Sequence, residues 1–122
     1  MNELKIKRAY EPPASEDGTR ILVDRLWPRG KTKTSLELQS WAKAMAPSNE
    51  LRKTFGHMVE KFDQFVDAYF AELNANSASL AFIDEIKQAL KTGNVTLVYG
   101  AKDEVHNQAQ VLKIWLEQKL KP

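Results

Sequence analysis

The sequence contains no cysteine, and this absence excludes disulfide bonds, thiolate zinc sites, iron–sulfur clusters and cysteine nucleophiles. It also contains no apolar run long enough to cross a bilayer, and its first residues lack the apolar core of a secretory signal peptide. We therefore expect a cytoplasmic protein with no membrane association.

Neither sign of charge is in large excess. The 18 lysine and arginine residues and 16 aspartate and glutamate residues leave a formal net charge of +2 at pH 7. This balance gives no strong electrostatic reason to expect binding to nucleic acid or to an anionic membrane, although a local basic patch is compatible with it.

Motifs for cofactors and metals are missing as well. There is no glycine-rich loop of the Walker or dinucleotide type and no G-x-S-x-G elbow, and His57 and His106 do not belong to an HxxxH or HExxH spacing. The sequence therefore predicts no cofactor and no metal site.

The size and composition suit one ordinary domain spanning residues 1–122. The chain is 43% hydrophobic and has no internal repeat or low-complexity segment. A chain of this length buries roughly two-thirds of the surface that its unfolded form exposes, which is enough for one core.

Three segments have the patterns of β-strands. Residues 4–10 alternate between apolar and charged side chains, which is typical of a half-exposed strand. Residues 21–27 and 95–99 are more continuously apolar, as expected for strands covered on both faces. We predict that residues 21–27 form a central strand.

Helical signals lie between these strands. Thr34 and Glu37 resemble a capping box, which predicts a helix continuing through residues 41–45. The alternation of residues 41–45 also suits a short strand, so both alternatives stay open. Ser48 has the properties of an N-cap for a short helix that Gly56 ends.

The second half of the sequence predicts three more helices, two of them before the last apolar strand and one after it. Apolar side chains recur with helical spacing over residues 59–73 and 80–91, and Gly93 stands where a C-cap glycine belongs. Asp103 can cap the last helix. The predicted buried face of that helix consists of Val105, Ala109, Leu112, Leu116 and Leu120, with Trp115 beside it.

Strands that alternate with helices predict an α/β fold: a single three-layer domain with a small, mostly parallel sheet of about four strands flanked by helices. In such sheets, ligands bind beyond the carboxyl ends of the strands. Polar residues follow both apolar strands at this point. If the two strands are neighbours, Arg25, Arg29, Tyr99 and Asp103 meet at one edge.

Arginines are the main candidates for ligand binding. Alternation puts Arg25 on the covered face that Trp27 shares, where a guanidinium needs either an anionic ligand or an internal acid as its partner. The candidate acids are Asp24, Asp103 and Glu72. Trp27 stacked on an arginine suits both alternatives.

Two further basic groups accompany Arg25. Arg29 stands between Pro28 and Gly30, which hold the strand exit stiff, and Arg52 belongs to a separate basic segment. These groups can bind an anion, because the guanidinium group matches the geometry of phosphate and carboxylate groups. The alternative is that they are exposed and solvated.

The candidates for proton transfer are Asp103, His57 and His106. A histidine titrates near neutral pH and can act as a general acid or base, but each of the two can equally cap a helix or pack at its end. Beside His106, Asn107 together with Tyr99 can orient a bound ligand.

Four segments together resemble the YeaO-like family, also called domain of unknown function 488. They are RILVDRLWPRG, APSNELRKTFGH, FDQFVDAYFAEL and TLVYGAKDEVHNQAQVL, and the resemblance covers about residues 4–116. It implies a small bacterial α/β protein of uncharacterised activity. It also favours a ligand-binding set over the two histidines, namely Arg25, Trp27, Arg29, Arg52, Tyr99 and Asn107.

These observations leave two functional hypotheses. The first is an enzyme or binding protein for a small anionic compound bearing phosphate or carboxylate, nucleotides included, at the carboxyl edge of the sheet. The alternative is a non-catalytic module that binds nucleic acid or protein through the basic edge around Trp27. No oligomeric state is indicated.

Overall fold

A sheet of four parallel strands organises the chain, in the order β1-β4-β2-β3. The strands are β1 (Leu4–Arg8), β2 (Thr19–Leu22), β3 (Ser40–Trp41) and β4 (Val95–Tyr99). This computed structural model describes residues 2–56 and 58–121. The predicted α/β class and parallel sheet are confirmed.

Helices fill most of the connections. They are α1 (Lys33–Leu36), α2 (Asn49–Phe55), α3 (Phe62–Ala75), α4 (Ser79–Leu90) and α5 (Gln108–Leu120), with single 3₁₀ turns at Ser15–Asp17, Lys43–Met45 and Val59–Lys61. Within the described ranges, no helix has both the length and the apolar character needed to cross a bilayer.

The two faces of the sheet are covered unequally. Helices α2 to α5 pack on one face, where Ile21, Val23, Leu97 and Tyr99 join the larger hydrophobic core. A smaller cluster lies on the other face, where Leu22 and Val98 meet Ala9 and Leu36. The central strands are therefore buried on both faces, as the continuous apolar runs predicted.

On the thinly covered face, a buried ion pair replaces part of the core. Arg20 on β2 donates to the Asp17 carboxylate at 2.7 Å, and Lys7 on β1 reaches the same group at 3.1 Å. The backbone N–H of Ala14 donates to it as well, and the Thr96 hydroxyl donates to the Asp17 backbone oxygen. These contacts attach the β1–β2 connection to the sheet.

The prediction that the second strand reaches residue 27 is wrong, because β2 ends at Leu22. Past that point the Val23 N–H still bonds to the Val98 carbonyl, but the neighbouring β3 is only two residues long. Asp24 then bonds through its side chain, so the chain leaves the sheet early. The first strand also ends two residues sooner than predicted, at Arg8.

The helix predicted from Thr34 through residue 45 is also wrong. Thr32 is the N-cap and bonds reciprocally with Ser35, and the helix stops where Glu37 adopts a left-handed φ of 48°. The chain then pairs with β2 as strand Ser40–Trp41, close to the short-strand alternative. Pairing with a central strand outweighs the local helical pattern here.

The capping signals of α2 are confirmed. The Ser48 hydroxyl accepts a hydrogen bond from the Leu51 N–H, and Gly56 ends the helix with a φ of 53°. A glycine adopts this left-handed conformation without the strain that a Cβ atom would introduce.

The ends of the later helices differ from prediction. Residues 59–61 form a 3₁₀ turn before α3, and the C-cap of α4 is Lys91 instead of Gly93. Asn107 caps α5 in place of Asp103, so Val105 lies outside the helix and is 61% exposed. The predicted burial of Ala109, Leu112 and Leu116 is confirmed.

Candidate functional site

A pocket of about 240 Å³ opens where the exits of β2 and β4 meet α2, α3 and α5. Its polar lining consists of Asp24, Arg25, Arg52 and Gln108. Its other walls are Leu26, Pro47, Phe55, Phe65, Gly100 and Ala101. The pocket therefore lies at the carboxyl edge of the sheet, the place where the sequence analysis expected a ligand to bind.

Asp24 joins the two strand exits at this pocket. One carboxylate oxygen accepts from the Gly100 backbone N–H at 2.8 Å, and the other accepts from the Gln108 carboxamide. Burial raises the pKa of Asp24 to about 6, although these two hydrogen bonds and the positive charge of Arg52 oppose the rise. The carboxyl group is therefore able to exchange a proton close to neutral pH.

Arg25 is held by the backbone of the next connection. Its Nε donates to the Pro47 carbonyl at 2.9 Å, which leaves the two terminal nitrogens of the guanidinium for other partners. Arg25 also borders a second, more open cavity beside Glu72. Glu72 accepts from the Ser48 N–H and hydroxyl instead.

Arg52 reaches the pocket from α2. Its Nη1 donates to the Asn49 side chain at 3.0 Å. Among the described residues, ion pairs join Lys7 and Arg20 to Asp17, and the His106 ring contacts the Asp103 carboxylate. Neither Arg25 nor Arg52 therefore has a carboxylate partner within that part of the chain. Of the two alternatives for Arg25, the internal pairing with Asp24, Asp103 or Glu72 is not formed.

The apolar wall comes from α2 and α3. The rings of Phe55 and Phe65 stack with centroids 4.5 Å apart, and both side chains are nearly fully buried. The helical spacing over residues 59–73 predicted Phe65 for a buried helix face, and it assigned no role to Phe55. Phe55 and Phe65 both belong to the larger hydrophobic core and also line the pocket, because the core extends to the pocket wall here.

Other predicted ligand residues lie outside the pocket lining. Arg29 is exposed, and its carbonyl accepts from the Tyr10 hydroxyl. Trp27 is half-buried on the opposite face of the sheet, where its indole N–H donates to Lys31 and its ring meets Trp41 edge-on.

Tyr99 and Asn107 are buried instead of facing this pocket. Tyr99 is 2% exposed, and burial raises the pKa of its phenol, as does the nearby negative charge of Glu104. Asn107 is fully buried; its side chain accepts from Gln110 as the N-cap of α5 and donates to the carbonyl of Asp103.

The candidates for proton transfer are also separate from the pocket lining. Asp103 accepts from the backbone N–H groups of His106 and Val105, which lower the pKa of its carboxyl group. His106 contacts the same carboxylate at 3.0 Å and packs edge-on against Phe62. His57 lies outside the described residues. Within those residues, no three acidic or histidine side chains are arranged to hold a metal ion.

Sequence reasoning missed Gln108 and considered Asp24 only as an internal partner of arginine. Each is a single polar residue beside residues that drew more attention, Arg25 in one case and Asn107 in the other. In addition, 84 positions separate Asp24 from Gln108, so no local pattern connects them. The one available signal was that each follows an apolar strand: Asp24 lies two residues beyond the end of β2, and Gln108 lies nine residues beyond the end of β4.

Comparisons with known proteins give a consistent result. Residues 3–122 match the family model described as the inactive DUF488-N3 subclade. The chain is 43% identical to the uncharacterised protein YeaO of Escherichia coli K12, over 93% of this chain and 96% of that protein. It is 38% identical to the uncharacterised protein Rv3073c of Mycobacterium tuberculosis, over 89% of each chain. No solved structure matches significantly.

Proposed function

The chain belongs to the DUF488 family, in the subclade described as inactive, and from that premise we propose that it is a non-catalytic protein that binds a small anion between Arg25 and Arg52. The anion is a carboxylate or phosphate group. The remainder of the ligand lies against the apolar wall of the pocket.

The observation that carries this proposal is the pair of arginines without carboxylate partners. Arg25 and Arg52 line one pocket, and no ion pair of the described residues involves either of them. A bound anion would therefore supply a charged partner that neither arginine has among the described residues. Guanidinium groups also match carboxylate and phosphate oxygens geometrically.

Pre-organisation supports the proposal. Arg25 is oriented by Pro47, Arg52 by Asn49, and the Gln108 carboxamide by Asp24. Groups that are already held in place lose less conformational entropy when a ligand binds.

The dimensions of the pocket limit the ligand to a compact molecule. Its volume of about 240 Å³ lies below the range of roughly 300–1,000 Å³ typical of drug-sized ligands. Phe55 and Phe65 supply an apolar surface beside the arginines. A small organic acid or monophosphate with an apolar or planar part matches this combination.

Binding is favoured over catalysis by the family description and by the residues present. Asp24 is the acid of the pocket lining, and both of its oxygens already accept hydrogen bonds. Among the residues that the structure describes, the pocket lining contains no serine, threonine, lysine or histidine side chain to act as a nucleophile or second proton carrier.

Titration calorimetry and thermal unfolding with sulfate, phosphate and benzoate test the proposal. At least one anion raises the melting temperature of the wild-type protein, because a ligand that binds only the folded state stabilises it. Arg25→Gln and Arg52→Gln each weaken this binding by at least about tenfold, the loss of one charge-assisted contact.

Arg29→Gln is the matched control, since it removes the same charge from an exposed position outside the pocket lining. We expect it to bind like the wild type. Equal losses in all three variants would point to general charge attraction and would contradict the proposal, as would the absence of any anion response in the wild type.

A further inference from the structure

A second surface outside this pocket combines aromatic rings and cations. The Arg8 guanidinium and the Lys31 ammonium lie 5.3 and 5.5 Å from the centroid of the Tyr10 ring. The Lys43 ammonium lies 5.3 Å from the centroid of Trp41. These groups come from the exits of β1, β2 and β3.

The two halves of this surface are joined by Trp27. Its ring contacts Trp41 edge-on with centroids 5.4 Å apart, and its indole N–H donates to the Lys31 carbonyl at 2.6 Å. We call the set Arg8, Tyr10, Trp27, Lys31, Trp41 and Lys43 the cation–aromatic row.

Hydrogen bonds to the backbone hold the outer rings in position. The Tyr10 hydroxyl donates to the Arg29 carbonyl, and the Trp41 indole donates to the Asp24 carbonyl. Both rings nevertheless remain accessible, with Tyr10 41% and Trp41 38% exposed. Large aromatic side chains that are fixed and exposed offer flat surfaces for stacking.

The cations of the row have no ion-pair partner in the described part of the protein. No ion pair there involves Arg8, Lys31 or Lys43, nor the neighbouring Arg29. The Glu11 carboxylate accepts from the backbone N–H of Arg8, not from its guanidinium. Since the whole chain has a formal net charge of only +2, this local excess is a specific feature of the row.

We propose that the cation–aromatic row binds single-stranded nucleic acid, with bases stacked on Tyr10 and Trp41 and phosphates paired with the adjacent cations. Stacking platforms interleaved with basic groups are the physical requirement for such binding. In the strand order, the exits of β1 and β3 are three strand spacings apart, or about 14 Å, which leaves room for more than one nucleotide. A duplex hides its base faces and cannot use the rings.

Fluorescence anisotropy with a labelled single-stranded 12-mer of thymidylate, and with a duplex of the same length, tests this proposal. We expect the single strand to bind more tightly than the duplex. Contacts to three or four phosphates reduce the affinity roughly 20- to 50-fold when monovalent salt rises from about 50 to 200 mM.

Variants separate stacking from charge. Trp41→Ala weakens binding by about tenfold, whereas Trp41→Phe, which keeps a ring, retains most of it. The double variant Lys31→Glu with Lys43→Glu loses binding at 200 mM salt. Lys119→Glu is the matched control, because Lys119 also lies over a tryptophan ring, that of Trp115 on α5, but outside the row.

Other results would overturn the proposal. Equal affinity for the duplex, or an unchanged affinity in Trp41→Ala, would exclude base stacking. Polyglutamate that competes as well as the oligonucleotide would identify an acidic protein partner instead. Arg25→Gln, which alters the pocket, must leave oligonucleotide binding intact. If this variant loses oligonucleotide binding, the nucleic acid binds at the pocket and not at the row. If the wild-type protein binds no small anion, the oligonucleotide test is unaffected, because it concerns a different surface.

Discussion

The carboxylate of Asp24 accepts a hydrogen bond from the backbone N–H of Gly100 at 2.8 Å. This contact ties the exit of β2 to the exit of β4 and closes one side of the pocket. The approach is tight: a Cβ atom built on Gly100 would lie 3.0 Å from the same carboxylate oxygen. The pocket therefore depends on a small residue at 100 and an acceptor at 24.

Asp24 makes stability depend on pH. Burial raises the pKa of Asp24 from 3.8 to about 6, so between these values the folded state binds a proton that the unfolded state has lost. Stability therefore falls as pH rises from 3.8 to about 6, by at most about 3 kcal/mol. When the free energy of unfolding is measured by urea denaturation, Asp24→Asn should not show this decline. If the wild type and the variant lose stability in parallel as pH rises, Asp24 is not its cause.

The same carboxyl group should modulate anion binding. Arg25 and Arg52 attract the anion, and ionised Asp24 opposes it across the same pocket. Sulfate keeps its charge over this range, so its affinity should fall by roughly tenfold as pH rises through about 6. Calorimetry of Asp24→Asn should give a flat profile. A wild-type affinity that does not change with pH would show that Asp24 does not face the anion.

Asp17 should be important for stability. Asp17 is 1% exposed, and its carboxylate pairs with both Arg20 and Lys7. Asp17→Asn leaves the buried Arg20 charge without its partner, and we expect a loss of about 3–5 kcal/mol in the free energy of unfolding. Asp103→Asn is the control; it keeps an oxygen for the backbone N–H groups and should change stability much less, because exposed charges contribute little. If Asp17→Asn and Asp103→Asn lose similar amounts of stability, the buried Asp17–Arg20 pair does not have the importance that we expect.

Gly18 tests a close backbone approach. Its φ is 65°, and a Cβ atom there would lie 2.0 Å from the backbone oxygen of Asn94. Gly18→Ala should therefore destabilise the fold by more than about 2 kcal/mol. Gly93→Ala meets no atom within 4 Å and should be near neutral. Thermal unfolding of Gly18→Ala and Gly93→Ala tests this prediction. Equal melting temperatures of the two variants would contradict the close approach of Gly18 to Asn94.

Val23 tests the burial of the β2 exit. It is fully buried in the larger core, and its N–H bonds to Val98. Val23→Asp introduces a carboxylate without a partner and should unfold the protein. Val105→Asp changes the same residue type at a position 61% exposed and should fold normally. Circular dichroism distinguishes the two; a folded Val23→Asp would mean that this position is not covered.

Local signals predicted much of the secondary structure. The bounds of β4, the Ser48 and Gly56 caps of α2, and the amphipathic stripe within α3 follow from side chains only a few residues apart. Such patterns depend on backbone geometry and the need to bury one face, both of which are written in short stretches of sequence.

Where the prediction failed, a distant partner decided the local structure. Residues 34–45 carry a helical pattern, yet Ser40 pairs with Ile21 on β2 and the helix stops at Leu36. The capping preference of Asp103 is likewise overridden, since Asn107 is the residue buried at the start of α5. Long-range pairing and burial exceed the small free energies of local propensity.

By itself, the sequence determined the α/β class, the parallel sheet and the edge where polar residues gather, because periodicity and strand-exit chemistry are local properties. Only the tertiary structure decided which of these polar residues share a pocket. It joined Arg25 and Arg52 to Asp24 and Gln108 and left Arg29 and Tyr99 outside the pocket lining. The reason is that the direction of a side chain after a strand ends depends on contacts with remote segments, which no short-range pattern records.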